Sequence, residues 1–410
     1  MTRSRMSALL AAAAVAGALV AVPAGPAVAI GPMHPSPRTP GCAYDAARSQ
    51  VVLFGGFDGI QFYRDTWTWD GSAWTERTPA HSPSARSYTG MAYDAAREEV
   101  VLFGGYDGGS LGDTWTWDGT DWTRRTPAHA PAARRWMGMA YDEAREEVVL
   151  FGGDYPDFDD TWTWNGADWT QRSPAHAPAA REGMGMAYDA VRGQVVLFGG
   201  LAFPANYFGD TWTWDGTDWT ERTPPHAPSP RRELGMAYDA ARTQVVLFGG
   251  YNSGWFGDTW TWDGTDWTER FPAHNPSRRF LMGITYDVAR ALVVMFGGFF
   301  PSTPVGDTWT WDGTDWSIPY PATLYLYPTS GPPGTAVFAQ GSGFGGHEGL
   351  ILKFIDSATG TTKLVKTTTY GNGEFTIWVT IPADASAGRQ HIEAQARASG
   401  QSRKRAFTVT

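Results

Sequence analysis

The chain has 410 residues, of which 42% are hydrophobic, 14% aromatic and 18% charged, with a formal net charge of −10. Aromatic content this high with so few charges excludes a disordered chain, and the acidic balance argues against a nucleic-acid partner. Residues 321–410 carry eight Lys or Arg against five Asp or Glu, so the rest of the chain holds −13.

In chain order, Arg3 and Arg5 precede an apolar run from about Ser7 to Val22, followed by the small-residue pattern Ala27-Val28-Ala29. This predicts a secretory signal over residues 1–29, a mature chain beginning near Ile30, and a secreted, extracellular protein. The run is too short and too rich in small residues for a spanning helix, and no apolar stretch near the C-terminus is a second candidate, so the protein is expected not to be membrane-embedded. The single cysteine, Cys42, rules out an internal disulfide even where export permits one. It stands where Met91, Met139, Met186 and Met236 stand further along, and reads as a buried apolar thiol.

From residue 41 the chain repeats itself. Glycine doublets at Gly55-Gly56, Gly104-Gly105, Gly152-Gly153, Gly199-Gly200, Gly249-Gly250 and Gly297-Gly298 are spaced by 49, 48, 47, 50 and 48 residues. Each follows VVLF or VVMF and precedes, after a stretch of variable length, DTWTW. Within a repeat, TGMAYD, EVVLFGG, DTWTWDG and DWTRRT read as four short strands separated by turn residues, and nothing has the length and 3.6-residue period of a long helix. One such unit cannot cover its own apolar faces, so neighbours must stack. In TWTW, the period of two puts Trp115 and Trp117 on one face, to be buried between stacked sheets. Eighteen of the 21 tryptophans occupy these repeated places, which accounts for the tryptophan content without a ligand.

An apolar strand ending in Gly-Gly, followed by spaced aromatics at a period near 50, resembles the kelch repeat. The resemblance covers residues 41 to about 319 and implies a six-bladed β-propeller with antiparallel blades around a central channel. TWTWDGTDW departs from the usual kelch spacing, and its turn is similar to the structural Asp-box of sialidases. Every repeat has its four strands in order, so residues 30–40, with MHPSPRTP, are expected to complete the linker from the sixth blade to the first. After Pro319 the grammar changes to alternating Thr and Val with turns at GNG and PADASAG. Seven candidate strands over 323–410 predict an immunoglobulin-like β-sandwich. The opening PTSGPPGT…GSGF resembles bacterial Ig-like modules of the IPT/TIG type, which implies an accessory or adhesive role. The expected fold is thus all-β: a six-bladed kelch-type propeller followed by an Ig-like sandwich.

What recurs in every blade is expected to be fold. His81, His129, His176, His226 and His274 each precede an Arg by five residues, and copies spread around a wide ring cannot converge on a metal at about 2.0–2.1 Å. They are expected to anchor linkers, and the Asp before each third strand to serve a turn or strand end. Function is expected where the blades differ, on the face carrying the linkers and the loops between second and third strands. Trp136 and Trp255 break the repeat there, with Arg135, Arg232, Tyr155, Tyr207 and Phe208 nearby in sequence. Aromatics with a few polar groups suit an extracellular glycan or protein partner. In DYPDFDD, Asp154, Asp157 and Asp159 offer hard oxygens of the kind calcium takes, set against a solvated acidic loop.

No catalytic residues are assigned. A secreted, non-catalytic binding protein is the expected function, with an envelope-associated scaffold as an alternative. The third reading is a galactose-oxidase-like carbohydrate oxidoreductase, since that family joins a kelch propeller to an Ig-like domain. Its copper site requires two His, two Tyr and a Cys crosslinked to one Tyr in a seven-bladed propeller, whereas this chain has six repeats and one core-like cysteine. That mismatch argues against copper, and no cofactor is expected.

Overall fold

The computed structural model describes residues 34–154 and 157–410, so the signal segment and Tyr155 lie outside the described residues. These are all-β: six four-stranded antiparallel sheets, then a three-stranded and a five-stranded sheet. The first sheet comprises Gly41–Asp45, Gln50–Phe57, Phe62–Trp69 and Trp74–Arg77, in that spatial order. The other five repeat the same order, and two of them carry a small extra hairpin between second and third strands, such as Leu201–Ala202 with Asn206–Tyr207. First strands of successive sheets lie side by side, and Gly283–Asp287 of the sixth sheet lies beside Gly41–Asp45 of the first. The arrangement is propeller-like, and the first strands line a central channel.

The apolar second strand explains the stacking. Val51 and Leu53 pack against Val294 and Phe296 of the sixth sheet, while Val52 and Phe54 pack against Val100 and Leu102 of the second. A run of four apolar residues therefore satisfies both faces of a strand buried on both sides. The fourth-strand tryptophan fastens each sheet to the one before. Trp122 Nε1 donates to Thr66 Oγ1 at 2.9 Å, and Trp74 Nε1 donates to Thr308 Oγ1 at 2.8 Å, which joins the first sheet to the sixth. The two indoles of TWTW part company. Trp117 is fully buried, whereas Trp115 is only half-buried and donates Nε1 to its own Asp113 at 2.7 Å.

The linker arginines fix the remaining geometry. Arg86, buried, donates from Nη1 to Asp113 Oδ1 at 2.5 Å and to the Gly104 carbonyl at 3.1 Å, and the same pair recurs as Arg134–Asp160, Arg181–Asp210, Arg231–Asp258 and Arg279–Asp307. The glycine doublets are needed because the next linker runs against them. Gly55 has φ 60°, its Cβ position would lie 2.6 Å from the Arg86 carbonyl oxygen, and Gly56 N–H donates to that oxygen at 2.8 Å. The repeated histidines are latches. His81 offers both its backbone N–H and Nδ1 to Asp121, each at 2.7 Å, and His129, His176, His226 and His274 repeat the grip on the following sheet's Asp.

Residues 323–410 form two sheets around a single core that includes Leu324, Val337, Phe354, Phe375, Ile392 and Phe407. They abut the sixth sheet: Gly346 N–H donates to Asp307 Oδ2 at 2.8 Å, and Gly306 N–H donates to the Gly371 carbonyl at 2.8 Å.

Candidate binding face at one mouth of the channel

Between each linker arginine and the first glycine of the next strand lies a short segment that differs from sheet to sheet. It reads Ser87-Tyr88-Thr89, Arg135-Trp136-Met137, Glu182-Gly183-Met184, Arg232-Glu233-Leu234 and Phe280-Leu281-Met282, and it is one residue shorter in the first sheet, as Thr39-Pro40. The first member pairs with the residue after the glycine doublet. Ser87 pairs with Tyr106, Glu182 with Leu201, Arg232 with Tyr251 and Phe280 with Phe299, while Asp154 N–H donates to the Arg135 carbonyl at 2.8 Å. Linkers and second-to-third loops therefore share one face, around one mouth of the channel.

The second members form an arc of backbone in the left-handed region: Tyr88, Trp136, Gly183, Glu233 and Leu281 have φ of 57°, 55°, 66°, 56° and 57°. Each N–H from Trp136 onward donates to the carbonyl of the preceding member, at 3.2, 2.8, 2.6 and 2.9 Å. A non-glycine residue pays about 1–3 kcal/mol for this conformation, so the arc holds four bulky or charged side chains where glycine fits without strain.

Opposite charges interleave along this arc. Arg232 Nη1 donates to Glu182 Oε1 at 2.9 Å, and its Nε lies 3.5 Å from Glu233 Oε1. The Arg135 guanidinium sits 4.1 Å from the ring centroids of both Tyr106 and Trp136, and its Nε is 3.8 Å from Asp154. Burial pushes the Glu182 carboxyl up to about 7, with the charges of Asp157 and Glu233 adding to the rise and Arg232 opposing it. Burial likewise raises Glu233, against the pull of Arg232, and lifts the Tyr88 phenol to about 12. Further out, Tyr251 joins Tyr207, Trp255 and Phe280 at ring separations of 6.3, 6.0 and 5.9 Å, and Trp255 is 38% exposed.

Of the residues singled out from the sequence, Arg135, Trp136 and Arg232 come together at the mouth, and Tyr207 and Trp255 meet on Tyr251, whose backbone pairs with Arg232. Phe208 lies instead under the Arg181 guanidinium at 3.8 Å, the place taken by Tyr63, Phe158 and Phe256 under Arg38, Arg134 and Arg231. It holds a repeated packing position rather than a variable one. Asp157 Oδ2 accepts the Phe203 N–H at 2.7 Å, Asp159 is exposed, and among the described residues no three His, Cys, Asp or Glu side chains gather as a metal-holding group. Tyr88, Glu182, Glu233 and Tyr251 were missed. Aligning the repeats on the linker Arg and the following Gly exposes the first three, because their positions change chemical class from sheet to sheet.

No family model matches the chain, and no curated protein matches it. Among solved structures, the chain is similar to SapL1 lectin, solved in complex with alpha methyl fucoside, at 12% identity with a TM-score of 0.49, over 70% of this chain and 96% of that one. It is also similar to macromomycin, at 12% identity with a TM-score of 0.19, over 22% of this chain and 99% of that one.

Proposed function

We propose that this chain is a secreted, non-catalytic binding protein that recognises a glycan through the loop face of a six-bladed, kelch-type propeller, with residues 323–410 as an Ig-like accessory module. One observation carries the reading: of the side chains that differ between otherwise repeated sheets, Trp136 and Glu233 line one channel mouth, Arg135 stacks on Trp136, Arg232 reaches Glu182 and Glu233, and the aromatic group of Tyr207, Tyr251 and Trp255 adjoins through the pairing of Arg232 with Tyr251. Carboxylates and guanidinium groups beside aromatic rings match a ligand with hydroxyls on one side and C–H groups on the other. Export rests on the Arg3, Arg5 and Ala27-Val28-Ala29 signal, and N-terminal sequencing of secreted protein tests it.

The test of recognition is a glycan array with the mature chain, repeated with Trp255→Ala. A discrete set of hits that Trp255→Ala weakens by about 2 kcal/mol or more, with stability changed by no more than about 0.5 kcal/mol, supports the face. A blank array with capture of a defined protein by the same face would replace the glycan with a protein partner. Hits indifferent to every substitution on this face would place recognition elsewhere.

A further inference from the structure

The unit formed by residues 323–410 exposes a second aromatic surface, far in sequence from the linkers. Its three-stranded sheet comprises Thr323–Tyr327, Ala336–Ser342 and Phe375–Thr380, with the middle strand paired to both others. Successive side chains point to opposite sides of a strand. Leu324, Leu326, Val337, Ala339, Phe375 and Val379 enter the core, and none of the ten alternate positions facing outward holds Asp, Glu, Lys, Arg or His. Register sets Tyr327 opposite Phe338 and Phe338 opposite Trp378, so one row across the sheet is wholly aromatic. The Phe338 and Trp378 ring centroids are 5.4 Å apart, while Tyr327 is 49% and Trp378 52% exposed. The next row is Tyr325, Gln340 and Thr376, and the exposed Tyr370 hydroxyl lies 2.9 Å from Thr376 Oγ1.

The outward side of the five-stranded sheet shows what solvent alone calls for. There Glu393 is opposite both Lys353 and Lys404, with ionic separations of 4.0 and 3.8 Å. One side of the sandwich is charged and paired across strands; the other is uncharged and carries bare rings, the mark of a binding surface. Its size limits the occupant. With strands about 4.8 Å apart and about 3.4 Å per residue, three strands of five to seven residues present about 15 by 20 Å, or about 300 Å². That is well under the roughly 800 Å² per partner of a stable protein interface, which disfavours a folded protein or a second copy. A lone small ligand is the wrong shape, because such ligands are held in concave sites that bury most of their surface. An open row of rings suits an extended ligand that repeats the same contact.

We propose that this sheet face binds an uncharged polysaccharide chain laid across the three strands, the C–H groups of successive sugars against Tyr327, Phe338 and Trp378 and their hydroxyls on Tyr325, Gln340 and Thr376. Phenol, amide and hydroxyl groups both donate and accept, as sugar hydroxyls do, so this row matches the polar edge of a glycan while the aromatic row matches its apolar side. A face whose outward positions hold no charge gives an anionic or cationic chain nothing to pair with. Among the described residues, the cation that reaches its rings is Arg405, whose guanidinium is 5.8 Å from the Tyr325 centroid. The site lies on a different unit from the channel mouth and does not depend on the reading of that mouth.

Depletion of the full chain from solution by cellulose, chitin, starch and an insoluble β-1,3-glucan, with alginate beads as the charged comparison, tests the proposal. The expected result is saturable binding to at least one of the four uncharged polysaccharides, equal at low and high salt and weakened about tenfold or more by Trp378→Ala and by Tyr327→Ala. Both side chains are about half exposed, so thermal melts of these variants should match the parent. Thr376→Arg, which puts a charge on the face without removing a ring, serves should either alanine variant fail to fold, and it too should weaken binding. Binding to none of the four, binding to alginate alone, or binding indifferent to these variants would overturn the proposal. Binding lost in Trp255→Ala and kept in Trp378→Ala would refute this face and leave the channel mouth standing. A dimer in sedimentation that Trp378→Ala dissociates would give the face to a second copy and refute the polysaccharide.

Discussion

The two ends of the central channel are built by the same six strands and differ in what they carry. At one end, Tyr44, Tyr93, Tyr141, Tyr188, Tyr238 and Tyr286 form a ring in which each phenol oxygen accepts a backbone N–H from the neighbouring sheet's turn, as Tyr141 does from Ala96 at 3.0 Å. At the other end, the corresponding places hold Tyr88, Trp136, Gly183, Glu233 and Leu281, and Trp136 Nε1 is buried with no hydrogen-bond partner among the described residues. A ring whose members are identical and each bonded to the backbone of the neighbouring sheet has its chemistry used up in closing the fold. A ring whose members differ closes through backbone bonds instead, which leaves its side chains free to vary.

The largest expected effect lies in the repeated part. Trp117 is fully buried between the first and second sheets, so Trp117→Ala should cost about 3–5 kcal/mol in a denaturant melt. A loss near zero would mean that neighbouring sheets do not depend on their indoles and would blur the contrast between core and mouth.

The next effect belongs to the variable end and depends on pH. Glu182 is raised to about 7 from an ordinary 4.5, so its ionised form is less favourable in the folded chain than in the unfolded one. The penalty is absent below about pH 4.5, where the carboxyl is protonated in both states, and is complete above about pH 7. Between pH 4 and pH 8, the stability difference between Glu182→Gln and the parent should therefore move by about 1–2 kcal/mol in favour of the variant, a figure reduced for solvent screening. Melts at the two pH values decide it, and a difference that does not change with pH would mean that burial does not hold the Glu182 carboxyl above its ordinary range.

The smallest effect tests the regular end. Tyr141→Phe deletes one phenol that accepts one backbone N–H, which should cost about 0.5–1.5 kcal/mol with no change in sugar affinity. Altered binding in that variant would show that the two ends are coupled through the channel.

The repeat was legible because its signals are local and redundant. VVLFGG and TWTW specify strand, two-sided burial and tight backbone approach wherever they occur, and six copies leave little freedom in the arrangement. Trp136, Trp255, Arg135 and Arg232 were legible as departures from that pattern. Phe208 was misleading because its loop varies in length, which hides the constant spacing to the Asp that follows and thus its place under Arg181. Glu182 and Glu233 were not singled out, since nothing within their own linker distinguishes a buried glutamate from a solvated one.

Sequence alone determined the all-β class, the number of repeats and the indoles that pack between sheets, because hydrophobic period, glycine doublets and turn residues act over a few neighbouring positions. Only the tertiary structure decided that five short linker segments, each about 48 residues from the next, meet at one mouth with Arg232 between Glu182 and Glu233. Desolvation and charge pairing depend on what surrounds a side chain in space, and those neighbours come from different sheets.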